Sequence, residues 1–357
     1  ALFCALKNIG GKESMNELQK NTESNNDIAD KKEKTQRPRR PRVPRGTNPR
    51  GAKEQKGPSE QPIQKKEGAT RQPWRGQQRK RQPQQKKQPT VPVHVYPLGG
   101  LGEVGKNFTV YECNGEMLIV DCGLVFPDSD MFGIDLVIPD FTFVVQNKEK
   151  IQGLIITHGH EDHIGSIPYL LKQIKVPIYA TRLTLGLLGN KLDEHGLKGS
   201  TTMKEVQPGQ KFSLGGFTIE PIHVNHSIPD AVAYAIQTAG GTILHTGDFK
   251  IDFTPISGGT TDLATIAEYG KQGVLALLSD STNSERPGFT MTEQKVGESF
   301  GSLFNRASGK RIIIATFASN VYRIQQIIDM AVEHGRKVAV SGRSMVNNTA
   351  MALNWDI

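Results

Sequence analysis

The first 90 residues of the 357-residue chain differ so much in composition from the remainder that only the remainder can build a hydrophobic core. Residues 31–90 contain 20 basic and 4 acidic side chains, 9 prolines, 11 glutamines and five apolar side chains. So little apolar area cannot offset roughly 1–2 kcal/mol of backbone entropy for each ordered residue. We therefore expect residues 1–90 to form a disordered basic extension, and residues 91–357, whose net charge is −6, to fold.

Several classes of protein are excluded. No run of about 18 apolar residues occurs, so the sequence predicts no membrane span. The apolar opening is too short for a secretory signal. Three cysteines without metal-binding spacing indicate a reducing compartment, and we expect a cytoplasmic protein. Met15 opens a polar stretch typical of a natural start, and the chain stops within a helical pattern without a cap, so we interpret it as a fragment.

From residue 91 onward, hydrophobic patterning predicts short strands and helices of an α/β protein. The predicted elements are strands at 91–98, 108–113, 116–121 and 151–157, a helix at 163–174, a strand at 175–180, a helix at 182–192, an antiparallel meander at 204–248 and a buried strand at 274–278. Asn114-Gly115 indicates a hairpin turn. After residue 290, helices at 293–305 and 321–333 alternate with strands at 311–316 and 337–340, and a further helix follows, which predicts a parallel sheet packed by helices.

The segment 157–163, Thr-His-Gly-His-Glu-Asp-His, carries the strongest chemical signal. His158 and His160 lie two residues apart at a predicted strand end, so both imidazoles can point to one side. Asp162 and His163 follow at the turn into the next helix. Burying four such groups without partners would cost several kcal/mol, so a metal ion explains the cluster best.

Two more candidate ligands, His226 and Asp248, follow later predicted strands. A carboxylate has two oxygens and can bridge two cations about 3.5–4 Å apart. Nitrogen and oxygen donors without a thiolate favour Zn²⁺, with Mn²⁺ or Mg²⁺ as alternatives. We therefore predict two divalent metal ions.

These motifs, together with Asp121 in Ile-Val-Asp-Cys-Gly, resemble the metallo-β-lactamase superfamily. Ser279–Asn283 is similar to the motif that opens the β-CASP insertion of nucleic-acid nucleases. The segments 99–107, 316–326 and 341–345 resemble the bacterial ribonuclease J family. The resemblance implies an incomplete αββα sandwich at 91–290, followed by a truncated β-CASP domain at 291–357.

The resemblance also implies roles for individual residues. His158, His160 and His226 would hold one metal, Asp162 and His163 the other, and Asp248 would bridge them. Asp162, Asp248 and His163 would thus be the catalytic groups. Asp121 and Asp280 would orient ligand imidazoles, as metal-bound histidines usually require. The family takes one more metal-binding histidine and a serine/histidine phosphate grip from later motifs, which lie beyond Ile357.

The loop 100–105 matches the dinucleotide-binding pattern Gly-x-Gly-x-x-Gly letter for letter. That pattern must open a helix, whereas residues 108–111 here predict a strand, so we do not expect nicotinamide or flavin binding. The glycines instead permit a tight turn beside the metals. Glu103 and Asn107 are candidate substrate-binding residues there, and Arg343, at the start of a predicted helix, is a third.

Two adjacent cations suit phosphodiester hydrolysis, so we expect a ribonuclease. The resemblance implies 5′-to-3′ exonuclease action with endonuclease activity, in mRNA decay and rRNA maturation. A thioester or lactone hydrolase of the same superfamily would use the same metals, and a truncated, non-catalytic RNA-binding module is a third alternative. Neither a β-CASP-like insertion nor the basic extension is needed by a small-molecule hydrolase.

The basic extension is interpreted either as a solvated linker or as a tether for RNA. Guanidinium groups suit phosphate, and Trp74 is placed to stack on an exposed base. The candidate tether residues are Arg39, Arg40, Arg42, Arg71, Trp74, Arg75, Arg79 and Arg81. Docking of an RNA helicase or of the ribosome is an equal alternative for this segment, and the resemblance implies a homodimer or homotetramer for the whole protein.

Overall fold

The computed structural model describes residues 91–355, which all fall within one compact unit. Six strands form the first sheet, in the order β1-β2-β3-β4-β5-β6, and five form the second, in the order β11-β10-β9-β8-β7. The strands are β1 Val93–Gly99, β2 Phe108–Cys113, β3 Glu116–Val120, β4 Ile151–Ile155, β5 Ile178–Ala180, β6 Met203–Glu205, β7 Phe212–Leu214, β8 Phe217–His223, β9 Val232–Thr238, β10 Gly241–His245 and β11 Ala276–Leu278.

Eight α-helices are described in residues 91–355, together with a 3₁₀ turn at Lys148–Lys150. They are α1 Thr142–Gln146, α2 Glu161–Ile164, α3 Ile167–Leu171, α4 Arg182–Glu194, α5 Leu263–Gln272, α6 Glu293–Arg306, α7 Val321–Glu333 and α8 Arg343–Trp355. Within the described residues, no helix is both long and apolar enough to cross a membrane.

The core has the four layers of an αββα sandwich. Along β3, Leu118 and Val120 face the second sheet, where they join Phe217 and Tyr234 in one buried cluster. Met117 and Ile119, on the opposite face of β3, pack instead against residues of α1–α4. On the outer face of the second sheet, Ala233 and Leu244 pack against Tyr269 of α5. Because both faces of the central strands are covered, these strands are apolar without alternation.

The hairpin between β2 and β3 is confirmed. Asn114 and Gly115 have φ angles of 53° and 80°, as the favoured two-residue hairpin turn requires. The expected αββα sandwich is likewise present, with a helical segment after residue 290.

Three predicted elements were wrong in detail. The helix expected at 163–174 is two helices, α2 and α3, because the Ser166 N–H donates to the Cys122 carbonyl oxygen at 3.0 Å instead of to a carbonyl of its own helix. The meander expected at 204–248 holds only for β7–β10, since β6 pairs in parallel with β5 of the first sheet. The strand expected at 274–278 is shorter and lies at the sheet edge, where Leu277 is 61% exposed.

The parallel sheet expected after residue 290 is absent from the described residues. Segments 311–316 and 337–340 alternate between exposed and half-buried positions but pair with no strand. Ile312, Ile314 and Val338 nevertheless pack on Phe300 and Phe304 of α6. The side-chain pattern of a strand is therefore present without a hydrogen-bonding partner.

Candidate metal centre

Three loops meet at one edge of the sandwich. Thr157–His163 follows β4, His226 follows β8, and Asp248 follows β10. Gly159 and Gly123 permit close packing there, because an added Cβ would lie 2.5 Å from the Leu187 side chain and 1.5 Å from the Asp162 carbonyl oxygen. The sequence thus places chemically active residues where the strands end and the backbone can approach closely.

His158, His160 and His226 direct three ring nitrogens at a common point. His160 Nδ1 lies 3.0 Å from His158 Nε2 and 3.1 Å from His226 Nε2. Two nitrogens bonded to one tetrahedral Zn²⁺ lie about 3.4 Å apart, from bonds of about 2.1 Å. The spacing and donor type therefore fit a divalent cation.

A second group of donors adjoins the first. His163 Nε2 lies 3.6 Å from Asp162 Oδ2 and 3.4 Å from Asp248 Oδ1. The other oxygen of Asp248, Oδ2, lies 3.8 Å from His226 Nε2. Asp248 therefore presents one oxygen to His163 and the other to His226, one in each group of donors, which is the arrangement a bridging carboxylate needs. His158, His163 and Asp248 also satisfy the spacing of a metal-binding triad.

The electrostatics keep most donors ready for a cation. Burial lowers the pKa of His158 well below its ordinary value, that of His160 to about 3 and that of His226 to about 4, so these imidazoles are neutral. Burial alone would raise the pKa of Asp248, but the neighbouring His163 and His226 lower it to about 2. Burial raises the pKa of Asp162. A neutral imidazole and an ionised carboxylate are the forms that bind metal.

Asp121 lies on the buried side of the centre, where its carboxylate binds Thr157 and His163. Its backbone has a φ of 60°, and its Oδ1 accepts from the Thr157 backbone N–H at 2.8 Å. Its Oδ2 accepts from the Thr157 hydroxyl and from His163 Nδ1, both at 2.8 Å. Although burial opposes protonation, Asp121 raises the pKa of His163 well above its ordinary value. Asp121 therefore holds His163 with Nε2 turned toward Asp162 and Asp248.

Thr157 is a site residue that the sequence reasoning missed. It is fully buried, and its hydroxyl, which donates to Asp121, lies 3.1 Å from His158 Nδ1. That hydroxyl can therefore accept the Nδ1 proton of His158 and fix the tautomer whose Nε2 is free. Its position between β4 and His158 was the available signal.

Asp280 lies near the centre but does not bind a ligand imidazole in the described part of the chain. Its Oδ1 accepts from the Thr282 N–H at 2.7 Å, and its own N–H donates to the Thr246 hydroxyl at 3.0 Å. Its charge acts to raise the pKa of His226, against the larger effect of burial. The orienting role expected for Asp280 stays a prediction.

The glycine-rich loop does not open a helix; β2 follows it, as the sequence reasoning expected. Asn107 lies against the centre, with Nδ2 3.0 Å from His163 Nε2 and 3.1 Å from the Asp162 carbonyl oxygen. Glu103 is exposed and binds locally to Lys106 and to the Gly100 N–H. Arg343 is exposed at the start of α8. Their substrate-binding roles stay predictions.

A cavity of about 240 Å³ opens beside His160, between α4 and the residues of α8. Lys191 and Glu161, 2.8 Å apart, stand on one wall. Hydroxyl and amide side chains that the sequence reasoning missed also line it: Asn190, Ser319, Ser344, Asn347 and Asn348. The candidate tether residues of the basic extension lie outside the described residues.

Two family models match the chain. Residues 119–265 match the beta-lactamase superfamily domain, and residues 309–356 match the beta-CASP domain of ribonuclease J. Ribonuclease J of Helicobacter pylori is 50% identical over 261 residues, which are 73% of this chain and 38% of that protein. Ribonuclease J of Thermus thermophilus is 46% identical over 268 residues, 73% of this chain and 47% of that protein.

A crystal structure of a protein of unknown function from Enterococcus faecalis covers 70% of each chain with a TM-score of 0.51 and 16% identity, and it shares the fold. The chain spans less than half the length of the two ribonuclease J proteins. Over the part that the chain covers, both domain matches and the identity to ribonuclease J proteins are consistent with the sandwich and with the loops that carry the candidate ligands. The chain belongs to the ribonuclease J family.

Proposed function

We propose that this site binds two divalent cations, Zn²⁺ in the first instance, and that the protein hydrolyses RNA phosphodiester bonds. The observation that carries the proposal is Asp248, whose two oxygens face His163 and His226 separately, at 3.4 and 3.8 Å. We further propose 5′-to-3′ exonuclease action with endonuclease activity, in mRNA decay and rRNA maturation. The relatives named ribonuclease J support the coarser assignment as a nuclease.

Bound cations would supply Lewis acidity that activates water and neutralises charge on the phosphoryl oxygens. The chain's own groups do the rest. Burial keeps His158, His160 and His226 unprotonated, so their ring nitrogens are free to bind a cation. Asp121 and Thr157 hold the imidazoles in place from beneath. The cavity beside His160 offers Lys191 and several amide groups to an anionic, hydrogen-bonding substrate.

The test replaces Asp248 or His160 by Ala in a version of the protein extended to the length of its relatives. We expect both variants to lose cleavage of 5′-phosphorylated RNA while keeping the wild-type circular dichroism spectrum. His195→Ala is the matched control, because His195 packs on Tyr169 away from the ligands. Undiminished cleavage by either ligand variant would refute the metal mechanism.

The same preparations separate the alternative activities. Turnover of a thioester or lactone, with no cleavage of RNA, would assign a small-molecule hydrolase. RNA binding without any turnover would indicate a non-catalytic binding module. Model phosphodiesters assayed with added Zn²⁺, Mn²⁺ or Mg²⁺ would identify the preferred cation.

We propose that the basic extension tethers RNA through its arginines and Trp74. Each phosphate neutralised on a single strand adds about −0.7 to the slope of log affinity against log salt. Deleting residues 15–90 should therefore flatten that slope and weaken RNA binding. An unchanged slope would refute the tether and would leave the interpretation of the basic extension as a linker. Cytoplasmic location, assembly as a homodimer or homotetramer, and docking to an RNA helicase or the ribosome stay predictions.

A further inference from the structure

The two loops that carry His226 and Asp248 are joined by a short backbone bridge. Lys250 donates its N–H to the Asn225 carbonyl oxygen at 2.8 Å, and the two residues form an isolated antiparallel bridge. Asn225 directly precedes His226, and Lys250 follows Asp248 by two residues. A displacement of Lys250 would therefore move both the loop that carries His226 and the loop that carries Asp248.

The bridge is held on its other side by Thr261. The Thr261 hydroxyl accepts from the Asn225 N–H at 2.9 Å and donates to the Lys250 carbonyl oxygen at 3.0 Å. The Asn225 side chain, 7% exposed, accepts from the Thr261 N–H at 3.0 Å. These bonds fix the backbone of Asn225 and Lys250, and the Lys250 side chain extends away from them.

That side chain extends to the helical segment after residue 290. Lys250 Nζ lies 3.0 Å from Glu293 Oε1, in the first turn of α6. The other oxygen of Glu293, Oε2, accepts from Arg323 Nη2 of α7 at 2.5 Å. The Glu293 N–H donates to Asp252 Oδ2 at 3.2 Å, so the N-terminus of α6 also docks on the 250–252 loop.

These four side chains form a balanced ionic group of two cations and two carboxylates. Asp252 is 5% exposed as a residue, and the side chains of Lys250, Glu293 and Arg323 are 20–24% exposed. Partial burial weakens solvent screening relative to a surface pair. Without the charge of Glu293, Lys250 would keep, within the described residues, only its longer contact to Asp252 Oδ2 at 3.6 Å, and the ion pair that ties α6 to the 250–252 loop would be lost.

We propose that Glu293 is a positioning residue for the metal centre: through Lys250 it couples the packing of α6 and α7 to the placement of His226 and Asp248. Seating of the helical segment after residue 290 thus tightens metal binding, and loosening of that segment relaxes it. The coupling rests on the metal centre proposed above.

The test measures Zn²⁺ affinity of the 357-residue chain by competition with a chromophoric chelator, and amide hydrogen exchange of residues 222–252 in the metal-free protein. E293Q keeps the shape of the side chain and removes its charge. We expect about tenfold weaker Zn²⁺ binding, within the range seen when outer partners of metal ligands are lost. We also expect faster exchange at the Lys250 N–H.

Glu298→Gln is the matched control, because Glu298 lies on the same helix and pairs with Lys295 on the surface. It should leave affinity and exchange unchanged. Arg323→Met should also weaken Zn²⁺ binding, because the Glu293 carboxylate then loses the guanidinium that holds it to α7, whereas Arg323→Lys, which keeps the charge, should recover most of the affinity. If E293Q is poorly folded by circular dichroism, the two Arg323 variants carry the test.

Wild-type affinity and exchange in both E293Q and Arg323→Met would overturn the coupling while leaving the metal centre intact. Equal weakening by Glu298→Gln would also overturn it, because the effect would then be a general response of α6. A wild-type chain that binds no Zn²⁺ would refute the metal centre and the coupling together.

Discussion

Thr157→Val should weaken metal binding although Thr157 is not itself a ligand. Valine matches the shape of threonine but lacks the hydroxyl that donates to Asp121 at 2.8 Å and faces His158 Nδ1 at 3.1 Å. His158 is fully buried, so its Nδ1 proton would lose its acceptor without gaining water. Such an unsatisfied group costs about 1–3 kcal/mol.

The cost should appear in both stability and affinity. We expect the free energy of unfolding of the metal-free variant, measured in urea, to be about 1–3 kcal/mol lower than that of the wild type. Zn²⁺ affinity should fall by about 10–100-fold, because the His158 tautomer is no longer fixed. Chelator competition measures the affinity, and the visible spectrum of the Co²⁺-loaded protein reports the ligand geometry.

Thr181→Val is the matched control for this substitution. Thr181 is also buried, and its hydroxyl donates to the Asp230 carbonyl oxygen at 2.9 Å, but no hydrogen bond joins it to a ligand histidine in residues 91–355. We expect it to lose stability and keep its Zn²⁺ affinity. Thr157→Val with wild-type affinity and an unaltered Co²⁺ spectrum would refute the orienting role.

Three further predictions concern the same sandwich. Gly247→Ala should cost about 1–2 kcal/mol in urea unfolding, because its φ is 55° and the added Cβ would lie 2.7 Å from Thr157 Cβ; a neutral result contradicts this. Phe217→Ala, between the sheets, should cost about 3–5 kcal/mol by the same assay, and a loss below about 1 kcal/mol is too small for such a cavity. Metal-free protein should lose stability as pH falls from about 6.5 toward 4. Over this range the unfolded chain takes up protons at His160 and His226, whereas the pKa values of these residues in the folded chain are about 3 and 4. A urea midpoint that does not change with pH would argue against neutral imidazoles.

The candidate ligands could be predicted because their signal is local. His158, His160, Asp162 and His163 lie within six consecutive positions after a strand, and the structure brings His226 and Asp248 to them. Buried strands were similarly predictable, since apolar runs such as 117–120 are buried on both faces, whereas the αββα arrangement was implied by the family resemblance. A dense cluster of donors and a continuous apolar strand can each be interpreted from a short stretch of sequence, without knowledge of distant residues.

The remainder depended on distant partners. The strand β6 has the sequence Met-Lys-Glu, with all three residues exposed, so no hydrophobic pattern could place it in the first sheet. Segment 311–316 has the alternation of a strand but pairs with none among the described residues. The cavity beside His160 joins Lys191 to Asn347 across more than 150 positions.

Contacts between side chains from different parts of the fold were equally impossible to predict from the sequence. The role of Thr157 depends on the left-handed backbone of Asp121, which turns that carboxylate under the histidines. The ionic group at Glu293 joins three elements that no local pattern connects. Such contacts follow from the fold rather than from the composition of any one segment.

The most direct test of the central claim is to locate zinc by anomalous diffraction in crystals of the Zn²⁺-loaded chain. The account predicts a peak within bonding distance of His158 Nε2, His160 Nδ1 and His226 Nε2. It also predicts that Asp248 will turn one oxygen toward that ion and the other toward His163. Zinc bound only elsewhere on the chain, with these three nitrogens free, would contradict the account.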